Sequence, residues 1–362
     1  MTAARTFWWA SSWTWGWPLA AWLVLVLVSL LGKSGFLAAV AGVALIGTVF
    51  AAVHHAEVVA HRTGEPFGTL VLALAVTVIE SALIVSVMLT APADNAGLAR
   101  DTIFAAVMIV CNGIVGLCLL VGAAHHHEQA FQLQGASAAL AVLAALTVLT
   151  LVLPNFTLTT PGPRLSTPQL AFEDMVSLAL YAAFVFVQTV RHRDYFLPVG
   201  GDAEAHAPPP TNRTALVSAG LLLVALVAIV GLAKALTATI EAAVARLDLP
   251  RAAVGIIIAA LVLLPEGLAA LRAARANRLQ TSLNLALGSS LATIGLTIPA
   301  VASVAILTGQ PLELGLAPKE EVLLALTLLV SVITLGTGRT TVLQGMVHLL
   351  IFAVFLFFAI VP

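Results

Sequence analysis

Charge is what this chain has least of. Only 9% of its 362 residues are Asp, Glu, Lys or Arg, where a soluble domain carries about 25%. Hydrophobic residues make up 60%, and the mean hydropathy is +1.07. So few charges cannot cover a water-exposed surface of this size, which excludes a soluble globular domain. The net charge of −1 says nothing about nucleic acid by itself, but the sequence has no basic stripe and no nucleic-acid motif, so nucleic acid is not an expected partner. Cysteine is nearly absent: Cys111 and Cys118 are the only two. Seven residues apart on a helix, they are separated by roughly 10 Å of rise, too far for a disulfide. Packing is their expected role, and they say nothing about redox compartment. No His-Glu-x-x-His spacing occurs, which speaks against a metalloprotease. The start TFWWASSWTWGWP lacks the charged n-region and small-residue cleavage site of a removable signal. All six tryptophans fall between Trp8 and Trp22 and are expected at the membrane–water interface.

What the chain has instead is long apolar runs. A bilayer core needs about 20 apolar residues per helix. Candidate spans are 15–32, 35–53, 67–90, 101–124, 135–153, 170–190, 214–238, 252–273, 280–308, 320–337 and 341–361. The fold class is an all-α polytopic membrane protein with about eleven transmembrane helices. Span 280–308 is long and holds Gly288, Gly295 and Pro299, so a break or kink is expected there. Connections are short except VGGDAEAHAPPPTN, residues 199–212, a Gly/Pro-rich flexible linker. With the N-terminus cytoplasmic, Arg5, Arg62, Arg191, Arg193, Arg213, Arg272, Arg275, Arg278 and Arg339 share that side. The other side holds Lys33, Arg100, Arg164, Arg246, Arg251 and Lys319. Nine against six favours that orientation.

Two acids interrupt the apolar pattern. Glu80 sits in LALAVTVIESALIVSVML of the third span, and Glu266 in IIIAALVLLPEGLAAL of the eighth. The two spans are five apart. Five is odd, so the two helices cross the membrane in opposite directions. Spans 2–6 and 7–11 then read as two inverted five-helix repeats, with the first span an addition. The divisions are 1–34 (aromatic segment and first helix), 35–190 (first repeat), 191–213 (linker) and 214–362 (second repeat). Inverted repeats place a site near the bilayer midplane, at the repeat interface.

A carboxylate in hydrocarbon costs about 2.5–3.5 kcal/mol on insertion scales, so it is kept where it faces a cavity or a partner. Two carboxyls meeting in a cavity favour protons, because burial and like charge both oppose ionisation. A divalent cation reverses that balance. Cation and proton then compete for one site, which is the minimum chemistry of a cation/proton antiporter. Calcium suits such a site, because it takes 6–8 oxygens in flexible geometry. Further oxygens are available from Thr77, three residues before Glu80, from Asn112 in MIVCNGIVG, and from Ser289 and Ser290 in LALGSSLATIG. The spans bearing Asn112 and the two serines are again five apart. Pro265 and Gly267 are expected to loosen the backbone beside Glu266 and free carbonyls.

Histidine clusters close two spans. VHHAEVVAHRTGEP carries His54, His55, Glu57 and His61; AHHHEQ carries His125, His126, His127 and Glu128. A pH-responsive entrance, a metal-recruiting vestibule and solvated helix ends are the readings for these groups. An intramembrane metalloenzyme built on His54, His55, His61 and Glu57 is the alternative from another class.

The stretches HRTGEPFGTLVLALAVTVIESALIVSVML and LPEGLAALRAARANRLQTSLNLALGSSLATIGLTIPA resemble the two signature repeats of bacterial calcium/proton antiporters of the ChaA type, in the cation/calcium exchanger superfamily. LQGASAALAVLAALTVLTLVLPNFT and SLALYAAFVFVQTVRHRDYFLP resemble the same branch. The resemblance implies ten or eleven helices in two inverted repeats. It places the essential acids on Glu80 and Glu266, and the neighbouring polar groups on Asn112, Ser289 and Ser290. Family members exchange calcium for protons, and some also move sodium or potassium. A Gly-Asn pair precedes each acid in the vacuolar branch. Here Val78 and Ile79 precede Glu80, and Leu264 and Pro265 precede Glu266. No resident cofactor is expected, calcium and protons being substrates. The bilayer, calcium, sodium or potassium, and protons are the expected partners, and the sequence is compatible with a homo-oligomer. A bacterial inner membrane is the expected location.

Overall fold

The computed structural model describes residues 12–32, 34–63, 67–89, 96–197, 210–247, 250 and 252–361. Trp8 and Trp9 of the aromatic start, and most of the 199–212 linker, lie outside them. The described residues form eleven helices: α1 (Ser12–Leu31), α2 (Gly35–Thr63), α3 (Phe67–Met88), α4 (Leu98–His126), α5 (Leu133–Phe156), α6 (Thr167–Arg191), α7 (Asn212–Arg246), α8 (Ala252–Arg275), α9 (Leu279–Thr308), α10 (Pro318–Leu335) and α11 (Val342–Ile360). Nine are long and apolar enough to cross a membrane. The others are α3, whose described apolar stretch is Leu74–Met88, and α10, which opens on Lys319, Glu320 and Glu321. A helix satisfies its backbone internally, which is what hydrocarbon requires. Large apolar side chains such as Leu30, Phe36, Leu216 and Leu350 stand exposed on the helices, as a lipid-facing surface demands.

The chain divides into two compact units. The first comprises Met1–Thr90 and Ala205–Leu247, and so holds α1, α2, α3 and α7. Here α2 packs along α7, and both touch α1 and α3. Helix α1 is seated by shape. The indole of Trp17 occupies the space left by the absent side chain of Gly47, and Leu25 does the same at Gly231. Small residues permit such close approach between membrane helices. Polar contacts fix the register. Trp22 Nε1 donates to the Val224 carbonyl at 3.2 Å, and Thr48 Oγ1 donates to the Trp17 carbonyl at 3.2 Å. Trp13 and Trp15 remain exposed near the start of α1.

The second unit comprises Ala91–Glu204 and Asp248–Pro362, and holds α4–α6 and α8–α11. Its helices alternate in direction, and two sets of contacts between their ends show this. At one face, Glu313 N donates to the Ala96 carbonyl (2.9 Å), Leu314 N to Pro163 (3.1 Å) and Leu316 N to Leu151 (2.8 Å). Arg164 pairs with Glu313 at 2.6 Å on the same face. At the other face, Gln129 Nε2 donates to the Ala274 carbonyl at 2.9 Å, and Asn284 Nδ2 to the Phe196 carbonyl at 2.6 Å. There the two-residue strand β1 (Gln129–Ala130) pairs antiparallel with β2 (Arg339–Thr340). Glycine again sets the closest approaches. Gly255 of α8 lies against the backbone of Asp101 and Thr102, Gly345 of α11 against Leu120, and Gly295 of α9 against Tyr181.

Several helices are not α-helical throughout. π-helical segments interrupt α4 at Ile109–Ile114, α5 at Val148–Val152, α6 at Val187–Arg191 and α9 at Thr293–Thr297. The α9 segment is the irregularity expected of that span. Pro299 has no N–H to give the preceding turn, and the ladder adjusts around Gly295. Helix α8, by contrast, stays α-helical through Pro265. The proline removes one bond there, and α8 packs against both α4 and α9.

Gly47→Leu is expected to push its side chain into the Trp17 indole and unseat α1. Overpacking of this kind costs about 1–3 kcal/mol. A lower thermal midpoint in detergent and faster proteolysis near residues 32–35 are the expected results; wild-type behaviour in both would contradict the seating.

Candidate functional site

Glu266 is half-buried on α8, between a proline and a glycine. Pro265 gives no hydrogen bond to the carbonyl one turn earlier, so one main-chain oxygen near Glu266 is released without breaking the helix. Gly267 lets Ile114 of α4 approach within 3.1 Å of where a Cβ would stand. Helix α8 packs against the π-segment Ile109–Ile114 and against Leu279–Ala292, and those two pack on each other. The second unit therefore carries Glu266, Asn112, Ser289 and Ser290 on three mutually packed elements. Toward the face bearing Gln129, a core of Cys118, Ala270 and Ala274, with Ile114, Leu271 and Leu285 around it, locks the same helices together. Cys118 and Cys111 are both buried and free, in the packing role expected of them.

The serines and the asparagine differ in what they offer. Ser290 is fully buried and Ser289 half-buried. Among the described residues, neither Oγ has a hydrogen-bond partner, so both are oxygens available to a ligand. Asn112 is 0% exposed, and its amide is engaged. Its Nδ2 donates to Thr327 Oγ1 of α10 at 2.9 Å, and its Oδ1 lies 3.1 Å from His348 Nδ1 of α11. Thr327 and His348 are themselves fully buried. Asn112 lies within the π-segment Ile109–Ile114, and such segments recur at functional sites. The sequence reading picked out Asn112 but missed Thr327 and His348. The available signal was a histidine in the middle of the apolar run GMVHLLIFAV, because an ionisable group inside a span rarely faces lipid.

In the first unit, Glu80 is 1% exposed near the middle of α3, with Thr77 buried one turn before it on the same face. Helix α3 packs against α2 and α7, so Glu80 points into protein and not into lipid. The histidines of α2 are divided. His55 is buried, with Nε2 3.0 Å from the Thr14 carbonyl of α1. His54 stacks obliquely on Trp13, ring centres 5.5 Å apart. Glu57 and His61 are exposed. Helix α2 continues to Thr63, ten residues past the expected span, which is why the cluster is helical and one of its members anchors α1.

The second cluster closes α4. His126 Nε2 lies 3.0 Å from the Arg275 carbonyl of α8. His127 takes φ +63° at the helix end, His125 turns back on the Val121 carbonyl, and Glu128 lies 3.8 Å from Arg339. Among the described residues, no three His, Cys, Asp or Glu side chains gather to hold a metal ion.

Residues 33–190 and 217–361 match the sodium/calcium exchanger protein family. The chain is 53% identical over 321 residues to y4hA of Sinorhizobium fredii (strain NBRC 101917 / NGR234), a protein named as an ionic transporter; the match covers 88% of this chain and 87% of that one. It is 37% identical over 344 residues to the sodium-potassium/proton antiporter ChaA of Escherichia coli (strain K12), covering 92% and 93%. Among solved structures, native YfkE superposes with a TM-score of 0.73 at 18% identity, covering 96% of this chain and 100% of that one. The H+/Ca2+ exchanger CAX superposes with a TM-score of 0.71 at 17% identity, covering 96% and 86%.

Thr327→Val removes the acceptor of the Asn112 amide. Hydrogen bonds between membrane helices are worth about 0.6 kcal/mol on average and up to about 1.7, so a small drop in thermal midpoint is expected in detergent. An unchanged midpoint would mean that the buried amide contributes nothing to holding α4 on α10.

Proposed function

The chain belongs to the sodium/calcium exchanger protein family, and from that premise we propose that it is a proton-coupled cation antiporter with calcium as first-choice cation. It is a multi-pass membrane transporter and not an enzyme, and the metalloenzyme alternative falls away with that assignment. Glu80 and Glu266 bind cation or proton in alternation, each from its own five-helix repeat. Thr77 supplies a further oxygen beside Glu80; Ser289, Ser290 and a carbonyl released beside Pro265 supply those beside Glu266, with Asn112 held by Thr327 and His348 in the same unit. One observation carries this reading: Glu266 sits where three packed elements bring buried, unpartnered hydroxyls. Those are neutral oxygens of the kind a hard cation takes in exchange for water. A cation favours the ionised carboxyls, so its arrival expels protons and its departure readmits them. The inverted-repeat assignment draws support from α4 and α9, five helices apart, which both carry a π-segment near mid-span. The bacterial inner membrane, N-terminus cytoplasmic, is the location that goes with this reading.

A sodium or potassium/proton exchange is the second reading. It is favoured by the ChaA relative, which is named for those ions. A monovalent ion needs less carboxylate charge at the site than calcium does.

In everted vesicles with an imposed proton gradient, calcium uptake is expected for the wild type and its loss for Glu80→Gln and for Glu266→Gln. Wild-type uptake in both variants would refute the assignment. Sodium that drives the same proton flux while calcium does not would establish the second reading.

A further inference from the structure

A second pair of acids lies inside the membrane-spanning part of the second unit, outside the site just described. Glu173 and Asp174 are consecutive residues of α6, about 9 Å of helical rise from its start at Thr167. They are 7% and 8% exposed. Glu173 Oε1 accepts from Thr150 Oγ1 at 2.5 Å and from Ser177 Oγ at 2.8 Å. Thr150 belongs to the π-segment of α5, and both donors are buried. One oxygen of Glu173 is thus held by two hydroxyls. The other, Oε2, and Asp174 Oδ1 are buried with no hydrogen-bond partner among the described residues.

Among the described residues, the elements packed closely on α6 bring no basic group to these carboxyls. Helix α6 packs against α5 and against the part of α9 from Thr293 onward, and neither α5 nor α9 contains Asp, Glu, Lys, Arg or His. On α6 itself the other titratable groups are Tyr181, packed on Gly295, and Arg191 at the far end. The nearest basic residue along the chain, Arg164, is committed to Glu313 at 2.6 Å. Two adjacent carboxylates without a counter-charge are not stable in a buried, low-dielectric position. A calcium ion would need 6–8 oxygens; the two carboxyls offer four, and the two hydroxyls beside them are already bonded to Glu173. A proton needs one.

We propose that Glu173 and Asp174 form a proton-binding site on α6, additional to the Glu80 and Glu266 carboxyls. Protonation forms an O–H bond at Glu173 Oε2 or Asp174 Oδ1 with a proton given up by hydronium at the Arg164–Glu313 face, which leaves as water. Deprotonation returns it there. Thr150 and Ser177 orient the Glu173 carboxyl and keep its second oxygen directed away from them. For transport, the inference rests on the proton-coupled reading above, and the pair adds a proton store to it.

The test is pH-dependent infrared difference spectroscopy of the full chain in nanodiscs, which reads protonated carboxyls without requiring transport. A protonated-carboxyl band is expected in the wild type, reduced in Glu173→Gln and in Asp174→Asn, and retained in part in the Glu80→Gln/Glu266→Gln double variant. Thr150→Val keeps both acids and removes one donor, and is expected to shift the band and its pH midpoint. If either acid variant fails to fold, Thr150→Val decides. A wild-type band with an unchanged midpoint in every folded variant of this pair overturns the proposal. Transport loss in Glu80→Gln or Glu266→Gln bears only on the exchange reading, so the two can fail separately.

Discussion

Hydrocarbon offers a polar group no partner, and the placement of nearly every polar side chain in this protein answers to that. A group inside a span must be bonded within the protein, must face a place where water or an ion can reach it, or must be neutral. Thr48, Thr102 and Thr147 take the simplest way out and donate back to a carbonyl one turn earlier. Asn112, Thr327 and His348 satisfy one another across three helices. Ser289 and Ser290 do neither, and they lie on an element that packs against the one carrying Glu266. Ser282 and Ser331 of the same unit are also buried without a bond, so what marks the region around Glu266 is that two such hydroxyls, consecutive in the chain, lie on the element packed against the carboxyl's own helix.

Close packing supplies the framework for that selectivity. Lipid is as apolar as a leucine side chain, so helices adhere by fit and by interhelical bonds, with no gain from leaving water. The glycines at 47, 231, 255, 295 and 345 each receive a neighbour that any larger residue would displace. The π-segments work in the same direction. Each shifts the side chains that follow it around the helix, and in α4 the result is an asparagine aimed at two other helices.

Much of the fold was legible from composition and periodicity. The eleven apolar runs correspond to the eleven helices, and the irregularity in α9 was signalled by Gly295 and Pro299. Helix lengths were less legible. Helices α2 and α7 continue to Thr63 and Arg246, past the expected span ends, because hydropathy registers only where the apolar character stops and not where the helix does. Glu80 and Glu266 were conspicuous because each stands alone in an apolar run. Glu173 and Asp174 were not, since they fall near a span end where charge is unremarkable. Their lack of a counter-ion depends on what α5 and α9 bring alongside. The partners of Asn112 lie 215 and 236 residues away in sequence, and no local pattern announces a bond of that range.

The pairing of β1 with β2 has a mechanical meaning. β1 follows α4 and β2 follows α10, and the same two helices are joined again, deep in the span, through Asn112 and Thr327. Two attachments at different depths remove the freedom to pivot about either one. Helices α4 and α10 are thereby stapled into a single strut, and a rearrangement that carries one of them must carry the other.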